Sequence, residues 1–320
     1  MSSTLLEVKN LKIEYRMRNE VVKAVRDVNL KINKKEIVGI VGESGCGKTT
    51  LAMSFLNLIE PPGYITDGKI IFQNEGEIDV FNLKPSQLRK YRWKDVSMIF
   101  QGSMNALNPV TRIEEQVMDV MLEHGYDYET ANRRVDELLR LAGLNPNIRK
   151  QFPHELSGGM KQRVNIALSM ACDAKLVIAD EATTALDVVV QRQIMARLLR
   201  LREERGISLV FITHDISLIA NIADKVYVMY AGKIVESAPV EELFSNPKHP
   251  YTIALLNSVP TISKEKKIKG IPGMPPDLAK EIKGCPFADR CNRVFDKCRE
   301  EEPPEIAIGS DHNVACYLYG

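Results

Sequence analysis

The octapeptide from Gly42 to Thr49 has the residue types and the spacing to bind a phosphate group. It reads G-E-S-G-C-G-K-T, which matches the pattern G-x-x-x-x-G-K-[ST]. Glycines let the backbone curl so that successive N–H groups point at one anion, which a Cβ atom would obstruct. Lys48 can reach the β- and γ-phosphates of a nucleotide, and the hydroxyl of Thr49 can ligate Mg²⁺. The segment therefore predicts a phosphate-binding loop.

The residues on either side of this loop have the patterns of a strand and a helix. An apolar run from Ile37 to Val41 precedes the loop, and the residues from Thr50 to Leu56 have helical character. A helix that begins here adds a partial positive charge and free N–H donors. Because strand, loop and helix follow one another in register, we favour a phosphate site over a chance glycine-rich turn.

An acidic pair ends a second apolar strand. Residues 176–179 are apolar, and Asp180 and Glu181 follow them directly. In a phosphate-loop protein, Asp180 can support bound Mg²⁺ and Glu181 can take the proton from an attacking water. A further apolar strand at 207–213 is followed by His214, which is either a structural hydrogen-bonding group or a catalytic one. Since many strands end at charged residues, the pair alone is a weak signal.

Three other positions fit a nucleotide site but also have ordinary explanations. Tyr15 stands at the end of the first predicted strand, where it either stacks on an adenine or is a half-buried strand-end tyrosine. Ser157 is suited to cap a helix, which either presents its N–H groups to an anion or is an ordinary capped helix. A strand-like run from Val96 to Phe100 leads to Gln101.

Length, composition and charge are those of an ordinary globular protein. The chain has 320 residues, of which 44% are hydrophobic and 27% charged, and this length predicts about two domains. The net charge of +1 does not indicate a general nucleic-acid-binding surface. No apolar run approaches the roughly 18 residues that suggest a membrane span, and the N-terminal residues lack the pattern of a signal peptide. We therefore expect a cytoplasmic chain.

The character of the sequence changes near Val235. Strand-like and helical stretches alternate before this point, whereas prolines interrupt the remainder and a basic patch runs from Lys264 to Lys269. We predict a nucleotide-binding domain at residues 1–235, with a helical subdomain at about 103–171. Residues 236–320 are predicted to form a small accessory domain.

Four of the six cysteines lie in this last part of the chain. They are Cys285, Cys291, Cys298 and Cys316. A reducing compartment disfavours a disulfide framework, and the spacing contains no C-x-x-C pair of the kind that structural zinc sites usually include. The four thiolates of an iron–sulfur cluster are less tied to close spacing. Spacing alone does not choose a metal, so a cluster, zinc and unliganded thiols all remain open.

The order of these motifs resembles that of the ATP-binding cassette family. In that family a phosphate loop, a glutamine loop, the signature Leu-Ser-Gly-Gly, an apolar strand with Asp-Glu and a switch histidine follow one another. The corresponding residues here are Gly42 to Thr49, Gln101, Leu156 to Gly159, Asp180-Glu181 and His214. Ala185-Leu186-Asp187 is similar to the D-loop of the family. The resemblance covers about residues 5 to 235, and the joint occurrence of the motifs makes it specific.

The resemblance implies an α/β fold with several parts. These are a RecA-like phosphate-loop ATPase core, an antiparallel β subdomain and a helical subdomain that carries the signature. A small C-terminal cysteine-rich accessory domain follows them. The resemblance also implies a head-to-tail dimer, in which the signature of one cassette completes the ATP site of the other.

The resemblance assigns roles to individual residues. Glu181 would be the catalytic base and His214 would fix the γ-phosphate, while Gln101 would contact Mg²⁺ and link the γ-phosphate to the membrane subunits. Tyr15 would stack on the adenine. The expected contacts to the phosphates and Mg²⁺ are Gly42, Ser44, Gly45, Gly47, Lys48, Thr49, Thr50 and Asp180. Those expected to contact ATP held by the partner are Ser157, Gly158, Gly159 and Asp187.

A closer resemblance is to the ATPase subunits of dipeptide and oligopeptide importers. The runs that carry it are Phe152 to Ser157, His249 to Thr252 and Cys285 to Cys291. It implies an ATPase that powers peptide uptake from the cytoplasmic face of the membrane as a peripheral subunit. The implied partners are a second, paralogous ATPase subunit, two transmembrane permeases and, indirectly, an extracytoplasmic binding protein, without nucleic acid. It also points to a [4Fe-4S] centre at the four C-terminal cysteines, with Zn²⁺ as the alternative.

Other functions remain possible at this point. Related subunits serve nickel or sugar uptake with the same ATPase. A soluble cassette protein that acts on ribosomes or DNA usually has two cassettes or a long coiled-coil insertion, and this chain has neither. A module that holds ATP without hydrolysing it is disfavoured by Glu181 and His214.

Overall fold

The computed structural model of the protein describes residues 3–100, 106–182, 188–258 and 270–320. Two predicted site residues, Gln101 and Asp187, lie outside the described residues. The chain divides into two compact units. The first comprises Met1–Ser3, Asn33–Lys35 and Asn82–Val210, and the second comprises Thr4–Ile32, Glu36–Phe81 and Phe211–Gly320.

Strands and helices alternate along most of the described chain. The strands are β1 (Thr4–Arg16), β2 (Val21–Asn33), β3 (Ile37–Val41), β4 (Gly63–Gln73), β5 (Glu77–Asp79), β6 (Val96–Ile99), β7 (Leu176–Asp180), β8 (Ser208–Ile212), β9 (Lys225–Tyr230), β10 (Lys233–Pro239), β11 (Ile306–Gly309) and β12 (His312–Val314). The helices are α1 (Lys48–Phe55), α2 (Pro85–Lys94), α3 (Ile113–Glu123), α4 (Tyr128–Leu141), α5 (Gly158–Ser169), α6 (Val188–Arg205), α7 (Ile216–Ile222), α8 (Val240–Ser245), α9 (Pro250–Asn257) and α10 (Asp296–Glu300). Among the helices in the described ranges, none is long and apolar enough to cross a membrane.

The second unit contains strands of two sheets. In one sheet the order is β2-β1-β4-β5, and β1 runs antiparallel to β4 with Leu6 opposite Phe72. In the other sheet, the order within this unit is β11-β12-β10-β9-β3. β3 and β9 are parallel neighbours with Val38 opposite Lys225, whereas β10 runs antiparallel to both β9 and β12. The sheet that contains β3 and β9 therefore has both parallel and antiparallel neighbours.

The first unit contains β6, β7 and the start of β8, with β7 in the middle. β6 and β7 are parallel, with Val96 opposite Leu176. Every residue of both strands is buried, which explains their nearly continuous apolar sequences. The helices α3, α4 and α5 pack against one another in the same unit. Between α3 and α4 the chain turns at Gly125, whose φ of 87° ends α3.

Tyr227 joins the two sheets of the second unit. Its hydroxyl accepts a hydrogen bond from the backbone N–H of Lys31 at 3.0 Å and donates one to the carbonyl oxygen of the same residue at 2.9 Å. Tyr227 lies in β9 and Lys31 lies in β2. Burial raises the pKa of Tyr227, so the phenol keeps the proton that it donates.

We expect the substitution Tyr227→Phe to lower the free energy of unfolding by about 1–2 kcal/mol, because the N–H and the carbonyl of Lys31 both lose their partner. Tyr128→Phe is the matched control, since Tyr128 is 65% exposed and should change stability by less than about 0.5 kcal/mol. Urea denaturation of the full chain measures both values. Equal stability of the two variants would contradict the assignment of this bridge.

Candidate nucleotide-binding site

The phosphate loop, residues 42–49, is shaped by close contacts to its glycines. It connects β3 to α1, and Gly47 caps the helix with a φ of 103°. A Cβ atom on Gly47 would lie 2.2 Å from the carbonyl oxygen of Ala24, and one on Gly42 would lie 2.1 Å from that of Met229. Gly45 has a φ of 78° but no neighbouring atom within 4 Å of such a Cβ. Close packing therefore requires glycine at positions 42 and 47, and the positive φ favours glycine at position 45.

Lys48 is turned into the loop that precedes it. Its Nζ donates hydrogen bonds to the carbonyl oxygens of Gly42 at 2.8 Å and Glu43 at 2.9 Å, and the residue is 6% exposed. Cys46 Sγ lies 3.6 Å from the same nitrogen. Burial raises the pKa of the Cys46 thiol, which keeps it neutral near pH 7. The loop thus combines a fixed cation with the N–H groups at the start of α1, an arrangement that suits a phosphate.

Other predicted residues of this unit lie around the start of α1 and after β8. Tyr15, near the end of β1, is half-buried, and its hydroxyl oxygen lies 3.4 Å from Oγ1 of Thr50. Ser44 and Thr49, which both belong to the loop, are exposed. His214 is also exposed and lies in the turn that leads from β8 to α7. The structure therefore brings Tyr15 to the first turn of the helix that follows the phosphate loop.

The signature segment begins a helix of the first unit, as the sequence predicted. Ser157 caps α5, and its Oγ accepts a hydrogen bond from the N–H of Met160 at 3.4 Å. Gly158 and Gly159 are the first two residues of the helix, and Ser157 itself is exposed. The N–H groups at a helix start have no partner within the helix, so this exposed end can meet an anion.

A side chain of α5 contacts the segment that follows β7 in the same unit. Gln162 Nε2 donates a hydrogen bond to the carbonyl oxygen of Ala182. Asp180 is the last residue of β7 and is 1% exposed, and Glu181 after it is half-buried. The φ of Glu181 is 45°, in the left-handed region that residues other than glycine rarely adopt. Strained backbone of this kind clusters at functional sites.

The four C-terminal cysteines line one small cavity of about 20 Å³. They are Cys285, Cys291, Cys298 and Cys316, and all are free thiols. The backbone N–H groups of Phe287, Arg293 and Leu318 donate hydrogen bonds to the thiols two residues before them. Burial, together with the other three thiols, raises the pKa of Cys285 to about 12. Within the described residues, no group of three or more His, Cys, Asp or Glu side chains is arranged to hold a metal ion.

Comparison with known proteins decides the family. The family described as ABC transporter matches residues 25–184, and the one described as oligopeptide/dipeptide transporter, C-terminal region, matches residues 235–298. The oligopeptide transport ATP-binding protein OppD of Bacillus subtilis (strain 168) is 44% identical over 320 residues, covering 98% of this chain and 88% of that protein. The chain belongs to the ABC transporter family. The dipeptide transport ATP-binding protein DppD of the same strain is 40% identical over 319 residues, covering 98% and 94%.

Solved structures share the fold of this ABC transporter chain. The dimeric post-hydrolysis state of the ATP-binding cassette MJ0796, bound to ADP and Pi, matches with a TM-score of 0.66 and 30% sequence identity. The match covers 74% of this chain and 99% of the MJ0796 chain. The protein therefore has the ABC ATPase fold with a mixed α/β sheet, and membership of the family makes it an ATP-hydrolysing transport ATPase.

Sequence reasoning missed three residues that hold the phosphate loop of this ABC transporter chain. The N–H of Glu43 donates to the hydroxyl of Tyr251 at 2.8 Å, and the carboxylate of Glu43 pairs with Arg290 at 2.6 Å. Glu43 occupies a variable position of the loop pattern, so the motif gives no signal for it. Tyr251 and Arg290 lie in two of the runs that resemble importer subunits, but those runs indicated no role for them.

We expect Gly47→Ala to raise the dissociation constant of ATP at least about tenfold, because the added Cβ collides with Ala24 and the positive φ is strained. Gly76→Ala is the control, since its Cβ would meet no atom within 4 Å. Titration of each folded variant with ATP gives the two constants. If Gly47→Ala binds ATP as tightly as Gly76→Ala, the loop does not depend on this close packing.

Proposed function

We propose that the chain is the ATP-binding and hydrolysing subunit of an importer for dipeptides or oligopeptides. The observation that carries this proposal is the tightly packed phosphate loop in a chain whose C-terminal part matches the oligopeptide/dipeptide transporter C-terminal region. Relatives named for oligopeptide and dipeptide transport cover nearly its whole length. Nickel or sugar uptake by the same ATPase, and a cassette protein that acts without a membrane complex, are the alternatives.

In this proposal the phosphate loop, residues 42–49, binds ATP. Its N–H groups and the ammonium of Lys48 hold the phosphates, and the hydroxyl of Thr50 contacts them from α1. Tyr15 stacks on the adenine. The position of the Tyr15 hydroxyl, 3.4 Å from Oγ1 of Thr50, supports this because one ligand can then meet the ring and the helix start together.

The donors available for Mg²⁺ fit this ion, which prefers oxygen ligands. The hydroxyl of Thr49 is exposed at the first turn of α1, and Asp180 offers a carboxylate at the end of β7. We assign Thr49 and Gln101 as ligands and Asp180 as a residue that supports the ion. When bound, Mg²⁺ offsets the negative charge that develops on the phosphates.

Glu181 is the proposed catalytic base, and His214 the proposed contact to the γ-phosphate. The carboxylate of Glu181 takes the proton from the attacking water, while His214 and the Gln101 side chain orient the phosphate end of the nucleotide. The strained backbone of Glu181 and the hydrogen bond from Gln162 to the adjacent Ala182 support this role, because both restrict where the residue can lie.

We expect Glu181→Gln to lower kcat for ATP hydrolysis at least about 100-fold while leaving the dissociation constant of ATP within about threefold, because only the base is lost. Glu204→Gln makes the same chemical change at an exposed residue that pairs with Arg200, and it should hydrolyse ATP at the wild-type rate. Steady-state ATPase assays and ATP titrations measure both. Turnover near wild type in Glu181→Gln would remove the residue from this role.

A second ATPase subunit would complete each site. Ser157, Gly158, Gly159 and Asp187 of one chain are proposed to contact ATP on the phosphate loop of a paralogous partner, in a head-to-tail dimer. The exposed start of α5 supports this, and it belongs to a different compact unit from the phosphate loop. The MJ0796 cassette, whose fold is the same, is dimeric.

The remaining proposed partners are two transmembrane permeases and an extracytoplasmic binding protein, with this chain bound peripherally at the cytoplasmic face. The test is reconstitution of the chain with these subunits in proteoliposomes. ATP hydrolysis should rise when dipeptides or oligopeptides are supplied with the binding protein, and labelled peptide should accumulate. Stimulation by nickel or sugars alone would contradict the peptide cargo, and no association with permeases would contradict an importer.

The C-terminal part is proposed to be a small accessory domain with an iron–sulfur cluster, within the same compact unit as the phosphate loop. We assign residues 1–235 to the nucleotide-binding domain, with the helical subdomain at about 103–171, and 236–320 to the accessory domain, since a distinct family match begins at residue 235. Backbone N–H groups donate to three of the four sulfurs, and outer hydrogen bonds of this kind orient metal ligands. The four cysteines of the described structure are not gathered around a single ion, and in a [4Fe-4S] cluster each cysteine binds a different iron, so the sulfurs lie farther apart than on one Zn²⁺.

We expect the wild-type chain, purified without oxygen, to be brown and to contain about four irons, whereas a zinc site would give a colourless protein with one zinc. Cys291→Ser should lose most of the iron because one thiolate ligand is removed. Cys172→Ala is the control, since Cys172 lies in the first unit and should leave the iron content unchanged. Stable wild-type protein without any metal would contradict the cluster and the zinc alternative alike.

A further inference from the structure

We propose that Arg290 is a positioning residue for the phosphate loop, through which the C-terminal part of the chain sets the affinity for ATP. The proposal rests on the proposed function, because it takes ATP as the ligand of the loop. Arg290 and Glu43 of the loop belong to the same compact unit, although they are 247 positions apart in sequence.

Both carboxylate oxygens of Glu43 are held by Arg290. Oε2 accepts a hydrogen bond from Nη1 at 2.6 Å, and Oε1 accepts one from Nη2 at 2.9 Å. A bidentate pair of this kind fixes orientation as well as distance. The Arg290 side chain is 4% exposed and that of Glu43 is 26% exposed, so solvent screens the pair only partly.

Arg290 is itself fixed by the residues around it. Its Nε donates to the carbonyl oxygen of Pro272 at 2.8 Å, and Nη1 also donates to the hydroxyl of Tyr230 at 3.1 Å. The guanidinium carbon lies 5.9 Å from the centroid of the Phe287 ring. A guanidinium held in place before it meets its carboxylate loses little conformational entropy in the pair. The partner that holds the Glu43 carboxylate is therefore a fixed side chain of the C-terminal region and not a mobile one on the surface.

A second contact from the same region holds the backbone of Glu43. Its N–H donates to the hydroxyl of Tyr251 at 2.8 Å, and the Tyr251 ring packs on those of Tyr230 and Phe287 with centroids 4.5 Å and 5.4 Å away. The carbonyl oxygen of Glu43 accepts a hydrogen bond from Lys48 Nζ at 2.9 Å. The N–H, carbonyl and carboxylate of Glu43 are all bonded, so Arg290 and Lys48 are connected through this one residue.

Charge gives the pair a second effect on the loop. Glu43 is part of the phosphate loop, and its negative charge would repel a bound phosphate if Arg290 did not offset it. Loss of Arg290 alone should therefore weaken ATP binding more than loss of Glu43 alone. Removal of both charges should recover part of the affinity, since the uncompensated carboxylate is then gone. A purely structural role for Arg290 would instead lower the free energy of unfolding and weaken binding of ATP and of adenosine alike.

The test measures dissociation constants for ATP and for adenosine, together with the free energy of unfolding, on the full chain. The variants are Arg290→Gln, Glu43→Gln and the double variant. We expect Arg290→Gln to raise the dissociation constant of ATP about tenfold or more, and the double variant to bind ATP more tightly than Arg290→Gln. Adenosine binding should change little in all three, because adenosine carries no phosphate.

Two further variants serve as a control and as a substitute for Arg290→Gln. Arg299→Gln breaks an exposed ion pair with Asp289 in the same region, at 2.7 Å, and should leave the ATP constant unchanged. Tyr251→Phe removes only the hydroxyl that accepts the hydrogen bond from the N–H of Glu43, and it should raise the dissociation constant of ATP several-fold. This variant takes the place of Arg290→Gln if Arg290→Gln does not fold.

Wild-type ATP affinity in the folded Arg290→Gln and Tyr251→Phe variants would overturn the inference while leaving the proposed function intact. A folded wild-type chain that binds no ATP would instead overturn the proposed function, and the inference with it. Equal loss of affinity for ATP and adenosine in Arg290→Gln would also overturn the inference, because the effect would then not act through the phosphates.

Discussion

Close backbone-to-backbone contacts shape the phosphate loop and, through it, the nucleotide site. Gly47 lies against the carbonyl of Ala24 in β2, and Gly42 lies against that of Met229 in β9. These two strands belong to different sheets of the second unit. The curl of the loop is therefore a product of tertiary packing as well as of glycine content.

The local parts of this arrangement were predictable from sequence because their signals are local. The apolar run at 37–41 forms β3, and α1 begins at Lys48 within the motif itself. Ser157 caps α5, since a serine before a helical pattern can satisfy the first free N–H groups. The apolar run that ends at Asp180 forms β7 with every residue buried. In each case residue type and spacing over a few positions specify the structure.

The long-range parts were not predictable, because their partners are far apart in sequence. Nothing in the loop pattern indicates that Glu43 pairs with Arg290, as the pattern accepts any residue at that position. The short C-terminal strand β12, which pairs with β10, has only three residues and no distinctive alternation. Its sequence reads as loop until the partner strand is known. A single sequence supplies motifs, but the contacts that hold a motif in shape are set by the fold.

Whether this loop binds a nucleotide through its phosphates is tested by the affinity of the folded full chain for ATP and for adenosine, before and after Lys48→Ala. We expect wild-type protein to bind ATP at least about 100-fold more tightly than adenosine, since the loop and Lys48 act on the phosphates. Lys48→Ala should remove most of this difference without changing the adenosine constant. Equal wild-type affinities for ATP and adenosine, or a Lys48→Ala variant that keeps the full preference for ATP, would show that the loop does not bind the nucleotide through its phosphates.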